Sequence, residues 1–181
     1  MIIAQQNKYS GYFNIDEITI EKDGKFTKQE ILVKDDGVGA IVYNKKTDKY
    51  IFVSQWRATL DDDMVEIVAG AMDIEGEDAE TAIKREVLEE IGYKCDKVEL
   101  IEEGFASPGG ITEYVKIFYI EVSEKVSNGG GNKDENENIE IVEKSYEEMV
   151  NSKFYDMKTS LAVNWVKLKK ANLKIEHPSQ A

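Results

Sequence analysis

Apolar and polar residues mostly alternate from Tyr12 to Ile20 and again from Phe26 to Val33, with Asp23-Gly24 between the two runs. A period of two marks a strand with one buried face, and an Asp-Gly pair favours a two-residue turn. The pattern predicts an antiparallel hairpin. Gly37–Tyr43 and Tyr50–Gln55 are more continuously apolar and flank the polar stretch Asn44–Lys49, which predicts a second, more deeply buried hairpin. Met64–Val68 reads as a short strand ending at Ala69-Gly70. The period then becomes helical over Ala79–Ile91, with Asp78 placed to cap the first turn and Gly92 to stop the last. Val98–Phe105 and Val115–Val122 are strand-like again, with the turn Ser107-Pro-Gly-Gly110 between them.

Residues 127–138 contain no apolar side chain, so a mobile surface loop is expected there. Ile139–Val142 reads as a strand, and Tyr146–Val150 and Ser160–Lys170 as helices, the latter with Leu161, Trp165 and Leu168 on one side. No internal repeat is visible. The sum is an α+β domain in which strands predominate.

The 181 residues, 41% hydrophobic and 33% charged, suit a single globular domain with a sizeable core. No apolar run approaches the length of a membrane span, and Met1–Lys8 lacks a charged segment followed by an apolar one, so a cytoplasmic protein is expected. With one cysteine, Cys95, and one histidine, His177, an internal disulfide is excluded, and Cys/His zinc sites and histidine-based triads or dyads have almost nothing to be built from. Carboxylates must carry any chemistry. The net charge of −13 argues against nucleic-acid and anionic-membrane partners. That charge is concentrated: residues 61–103 hold 16 Asp and Glu against four Lys and Arg. Such a stretch is either a solvated acidic face or a site for hard cations.

Helix geometry bears on that choice. At 100° per residue Glu86, Glu90 and Glu89 fall at 0°, about 40° and about −60°, three carboxylates within one arc. Ile83, Val87 and Ile91 lie beside that arc and not opposite it, which favours a cleft over open solvent. Ala79 and Ala82 fall inside the arc, where small side chains leave room for a ligand. Like charges at this spacing repel, and a divalent ion reverses the sign.

Gly70-Ala-Met-Asp-Ile-Glu-Gly-Glu77, then seven residues, then Arg85-Glu-Val-Leu-Glu-Glu-Ile-Gly-Tyr93, resembles the Nudix box. The match is complete except for one extra residue between Gly70 and Glu77. Gln55-Trp-Arg57, Val68-Ala-Gly70, Ser107-Pro-Gly-Gly-Ile-Thr-Glu113 and Asp134-Glu-Asn-Glu-Asn-Ile-Glu140 resemble landmarks of the ADP-ribose and GDP-mannose pyrophosphatase branch. The Gly129-Gly-Gly131 loop is most similar to the GDP-mannose type.

The resemblance implies a Nudix fold, an α/β/α sandwich around a mixed sheet in residues 37–175, preceded over residues 1–36 by an antiparallel β-meander that helps build a homodimer. It implies hydrolysis of a nucleotide-sugar with Mg²⁺ or Mn²⁺, two or three ions per site. By position, Glu86 and Glu90 would be the principal metal ligands, with Glu89 a third and the Ala69 carbonyl completing the shell. Arg85 would orient the glutamates, and Glu137, with Glu135 in reserve, would be the general base. Arg57, Gln55, Glu113, Ser107 and Gly109 are the candidate substrate contacts. A degenerate Nudix domain that senses a nucleotide-sugar without cleaving it is the alternative, and intact Arg85, Glu86, Glu89 and Glu90 argue against it. An acidic Ca²⁺-binding module would need a regular Asp-x-Asp-x-Asp-Gly spacing that this chain lacks.

Overall fold

A computed structural model describes residues 1–131 and 138–176, with side chains as far as residue 172. Three strands, β1 (Ile2–Ser10), β2 (Asn14–Lys22) and β3 (Lys25–Val33), form an antiparallel sheet in the order β1-β2-β3. The β2–β3 hairpin is closed by Asp23 and Gly24, both left-handed at φ 54° and 73°, the turn whose twist matches that of the strands it joins. The meander implied over residues 1–36 includes β1, although the alternation of apolar and polar residues does not mark it. This strand is exposed along its whole length, so no buried stripe marks it.

The second sheet has seven strands. β4 (Gly37–Asn44) and β5 (Lys49–Arg57) form the expected buried hairpin, and β6 (Asp62–Glu66) and β7 (Val68–Ala71) pair with β5 and β4 where those two diverge. β8 (Tyr93–Phe105), β9 (Tyr114–Lys125) and β10 (Glu140–Lys144) complete it in the order β10-β5-β4-β9-β8. The β4–β9 pair is parallel and the others are antiparallel, so the sheet is mixed. β4 reads as a nearly continuous apolar run because both its faces are covered. Val38, Ala40 and Val42 point into a core shared with α1 (Ala79–Glu86), and Ile41 points into a second core shared with α2 (Tyr146–Asn151) and α3 (Met157–Glu176).

Periodicity misplaces the buried face of α3. Leu161 and Leu168 are exposed, whereas Thr159, Ala162, Val163 and Val166 are buried. Of the three expected residues only Trp165 packs against the core, stacked at a tilt on Tyr119 with 5.5 Å between ring centroids. Small side chains let the helix lie close to the sheet, and close approach decides burial more than side-chain hydropathy does.

The two sheets are joined through the end of β3. Leu32 donates to the Gly110 carbonyl (2.8 Å) and accepts from Thr112 N–H (3.1 Å), while the Gln29 amide donates to the Gly109 carbonyl (2.8 Å).

Candidate active site

Asp78 starts α1 by accepting the Thr81 N–H at 2.8 Å. The helix continues past Glu86 as a π-helical turn, Val87–Ile91, which Gly92 terminates at φ 77°. A π-turn inside a helix re-aims side chains relative to a uniform 100° step and recurs at functional sites. Glu86 and Glu90 are buried, at 8% and 4% exposure, and the Glu89 side chain is 40% exposed. Ala79 and Ala82 do not leave a gap beside the carboxylates as the helical arc suggests; both are packed into the sheet-facing core. The space near Glu86 comes from Gly70 on β7. A methyl group built on Gly70 would overlap Glu86 Oε1, Cδ and Cγ. The absent side chain is therefore the notch in which the carboxylate sits. Ala69, one residue earlier, is held opposite Gly39 in the β4–β7 ladder.

Arg85 joins the pieces. Its guanidinium donates to both Glu77 oxygens (3.2 and 3.1 Å), to Glu86 Oε1 (2.7 Å), to Glu89 Oε2 (3.3 Å) and to the Ala71 carbonyl (3.3 Å). The Glu77 hydrogen bonds, with the nearby Glu86 and Glu77 charges, raise its pKa above the ordinary arginine value, against an opposing effect of burial. The extra residue between Gly70 and Glu77 is taken up in the turn where Glu77 N–H bonds the Ile74 carbonyl (3.1 Å) and Gly76 has φ 80°. Both the Gly70–Glu86 contact and the Arg85–Glu77 pair coexist with it.

Arg57, at the end of β5, makes a two-pronged pair with Glu66 on β6, Nε to Oε1 at 2.7 Å and Nη2 to Oε2 at 3.1 Å. Those bonds raise the Arg57 pKa, burial opposes them, and the charges of Glu66, Glu90 and Asp156 add to the rise. Arg57 thus shares an electrostatic neighbourhood with Glu90. Glu66 was not singled out from the sequence. Its pairing is set by strand register, since Val53 faces Glu66 and both Arg57 and Val53 lie on the same side of β5. Gln55 lines a polar cleft of about 190 Å³ where the start of β10 meets β5, with Ser54, Trp56, Asp63, Asn138 and Glu140.

The remaining candidates are placed elsewhere. Glu113 is ion-paired with Lys34 at 2.5 Å, at the junction of the two sheets. The Ser107 carbonyl accepts from Gly110 and Ile111 N–H groups, and the Gly109 carbonyl receives Gln29, so this turn serves as the seat of the N-terminal sheet. Glu135 and Glu137 lie outside the described residues.

Oxygen donors alone, two of them buried carboxylates on one helix, suit a hard divalent cation. Among the described residues no three His, Cys, Asp or Glu side chains already enclose one point. The Arg85 guanidinium bonds one oxygen of each of Glu86 and Glu89.

Residues 33–178 match the family model described as NUDIX domain. The chain is 30% identical over 172 residues to a GDP-mannose pyrophosphatase of Shigella flexneri serotype 5b, covering 87% of this chain and 89% of the relative. It is also 30% identical over 161 residues to the methanol dehydrogenase activator of Bacillus methanolicus, covering 87% and 85%. Among solved structures, one described as an ADP compounds hydrolase superposes with a TM-score of 0.78 over 96% of this chain and 95% of the other, at 16% identity. That likeness confirms the fold: two helical layers around a mixed sheet, with an antiparallel three-stranded sheet at the N-terminus.

Proposed function

The chain belongs to the NUDIX domain family as a Nudix hydrolase, and from that premise we propose that it cleaves the pyrophosphate of a nucleoside diphosphate sugar, of the GDP-mannose or ADP-ribose type, to a nucleoside monophosphate and a sugar phosphate. The observation that carries this reading is the pairing of opposite charges across one site. The Arg57 guanidinium, fixed by its two-pronged pair with Glu66, lies within electrostatic reach of Glu90, itself buried on the helix that also carries Glu86. An anionic diphosphate needs the first, and a divalent cation that makes the diphosphate electrophilic needs the second.

Bound Mg²⁺ or Mn²⁺ supplies neutralisation of the diphosphate oxygens and acidification of a water. Glu86 and Glu90 would hold the metal, with Glu89 and the Ala69 carbonyl as further donors. Arg85, anchored on Glu77, orients the Glu86 and Glu89 carboxylates by donating to both. Arg57 binds a phosphate oxygen and Gln55 the part of the substrate that enters the cleft beside Trp56. Glu137 takes the proton of the attacking water, with Glu135 as the reserve. Glu113 would contact the sugar where Lys34 now holds it, and Ser107 and Gly109 would border the same end.

We further propose a cytoplasmic homodimer built through the N-terminal sheet, which exposes Ile2, Ile3, Tyr9, Phe13 and Phe26. Among the described residues no helix is long and apolar enough to cross a membrane. The test is a panel of GDP-mannose, ADP-ribose and other molecules with the same linkage, each with Mg²⁺, scored for mononucleotide release. Metal-dependent release from a nucleotide-sugar supports the reading. Tight binding of these ligands without release would overturn it in favour of a sensor.

A further inference from the structure

Ile67 stands between β6 and β7 and belongs to neither strand, so its N–H has no ladder partner. It is 1% exposed, and a buried N–H must be satisfied. The acceptor is Thr159 Oγ1, at 2.9 Å across 92 residues of sequence. Thr159 is itself fully buried, and its hydroxyl donates onward to Asp156 Oδ2 at 2.7 Å. Asp156 caps α3 by accepting the Thr159 N–H at 2.8 Å, and its other oxygen accepts from the Lys158 ammonium at 2.9 Å. Burial pushes the Asp156 carboxyl up, but these bonds outweigh it and hold the group below its ordinary value.

Capping α3 requires only the backbone N–H of residue 159. The hydroxyl is surplus to that task, and a valine of the same shape would pack as well. What the hydroxyl adds is a fixed position for the one peptide that links two site-bearing strands. Glu66 immediately precedes Ile67 and holds Arg57; three residues after it, Gly70 provides the notch for Glu86. The Asp156 carboxylate also lies within electrostatic reach of Arg57.

We propose that Thr159 is a positioning residue for substrate binding: its buried hydroxyl, oriented by Asp156, pins Ile67 so that Glu66 presents Arg57 to the diphosphate. This rests on the reading of Arg57 as a phosphate contact. Thr159→Val removes the acceptor, strands the Ile67 N–H and takes one of its three hydrogen bonds from Asp156, whereas Thr159→Ser keeps the hydroxyl. The expected result for Thr159→Val is faster amide exchange at Ile67 and a KM raised about tenfold with kcat nearly unchanged, as for loss of a contact made equally in ground and transition states. Thr159→Ser restores both. In an Arg57→Ala background Thr159→Val adds no further rise in KM, because the effect passes through Arg57.

If Thr159→Val does not fold, Thr159→Ala, whose cavity water can enter, is read the same way. A folded variant with unprotected Ile67 and unchanged KM overturns the proposal, as does failure of serine to rescue or an undiminished effect without Arg57. Should the wild type hydrolyse no nucleotide-sugar, the functional reading fails. Calorimetric affinity for ADP-ribose with Mg²⁺ then replaces KM, and an equal affinity in wild type and Thr159→Val overturns the positioning role.

Discussion

Glu86 can lie where it does because residue 70 has no side chain. Gly70→Ala forces the carboxylate and the added methyl apart where Gly70 is fixed in the β4–β7 ladder and Glu86 is buried at the end of α1. The expected outcome is a fall in activity and metal affinity of about 10- to 100-fold, the range seen when the support of a metal ligand is lost, with the circular dichroism of the wild type. Steady-state rates across a Mn²⁺ titration check it; unaltered metal dependence would mean the notch is incidental. Glu137→Gln is expected to lower turnover by about 10²-fold or more while leaving metal affinity alone, the usual worth of a general base. If Glu135→Gln shows the loss instead, the base moves to Glu135. Residues such as Glu86, Glu90 and Arg85 were legible because their spacing is a property of one helix. Glu66 and Thr159 were not, because each acts through a partner set by strand register or tertiary packing, which no local pattern reports.

The end of the α1 segment shows how one element is held by another. Gly130 N–H donates to the Glu90 carbonyl (2.8 Å) and Gly131 N–H to the Glu89 carbonyl (3.2 Å), while Val126 and Ser127 N–H groups both reach the Gly92 carbonyl. These bonds satisfy carbonyls that a helix terminus leaves without partners. Gly129 makes the approach sterically feasible: it adopts φ 68°, and a Cβ there would lie 2.5 Å from the Glu90 carbonyl oxygen. Gly129→Ala therefore combines left-handed strain with a backbone clash, and should destabilise the protein by at least about 1–3 kcal/mol, measured by denaturant unfolding. A change within experimental error would show that the loop is free to move off the helix. The sequence reading of this helix was accurate in its start at Asp78 and its stop at Gly92. It missed the π-turn, since a 100° step assumes a uniform helix, and it missed the glycine strap, since composition alone marks residues 127–131 only as polar.

At the scale of the whole molecule, the N-terminal sheet is attached through the end of β3 and the turn that follows β8, and among the described residues β1 has no neighbour on its outer edge. A long exposed edge with apolar side chains is a surface that proteins normally cover. Light scattering at micromolar concentration should give close to twice 20.5 kDa, and removal of residues 1–10 should shift it to the monomer; a full-length monomer would refute the dimer. The central claim is that the buried Glu90 carboxylate holds the metal. Its most direct test is the Mg²⁺ dependence of nucleotide-sugar hydrolysis by the wild type and by Glu90→Gln, side by side, with circular dichroism on both. The account predicts saturable, metal-dependent release by the wild type and a loss of more than about 100-fold in Glu90→Gln, without change of fold. Turnover by Glu90→Gln at the wild-type rate would contradict it.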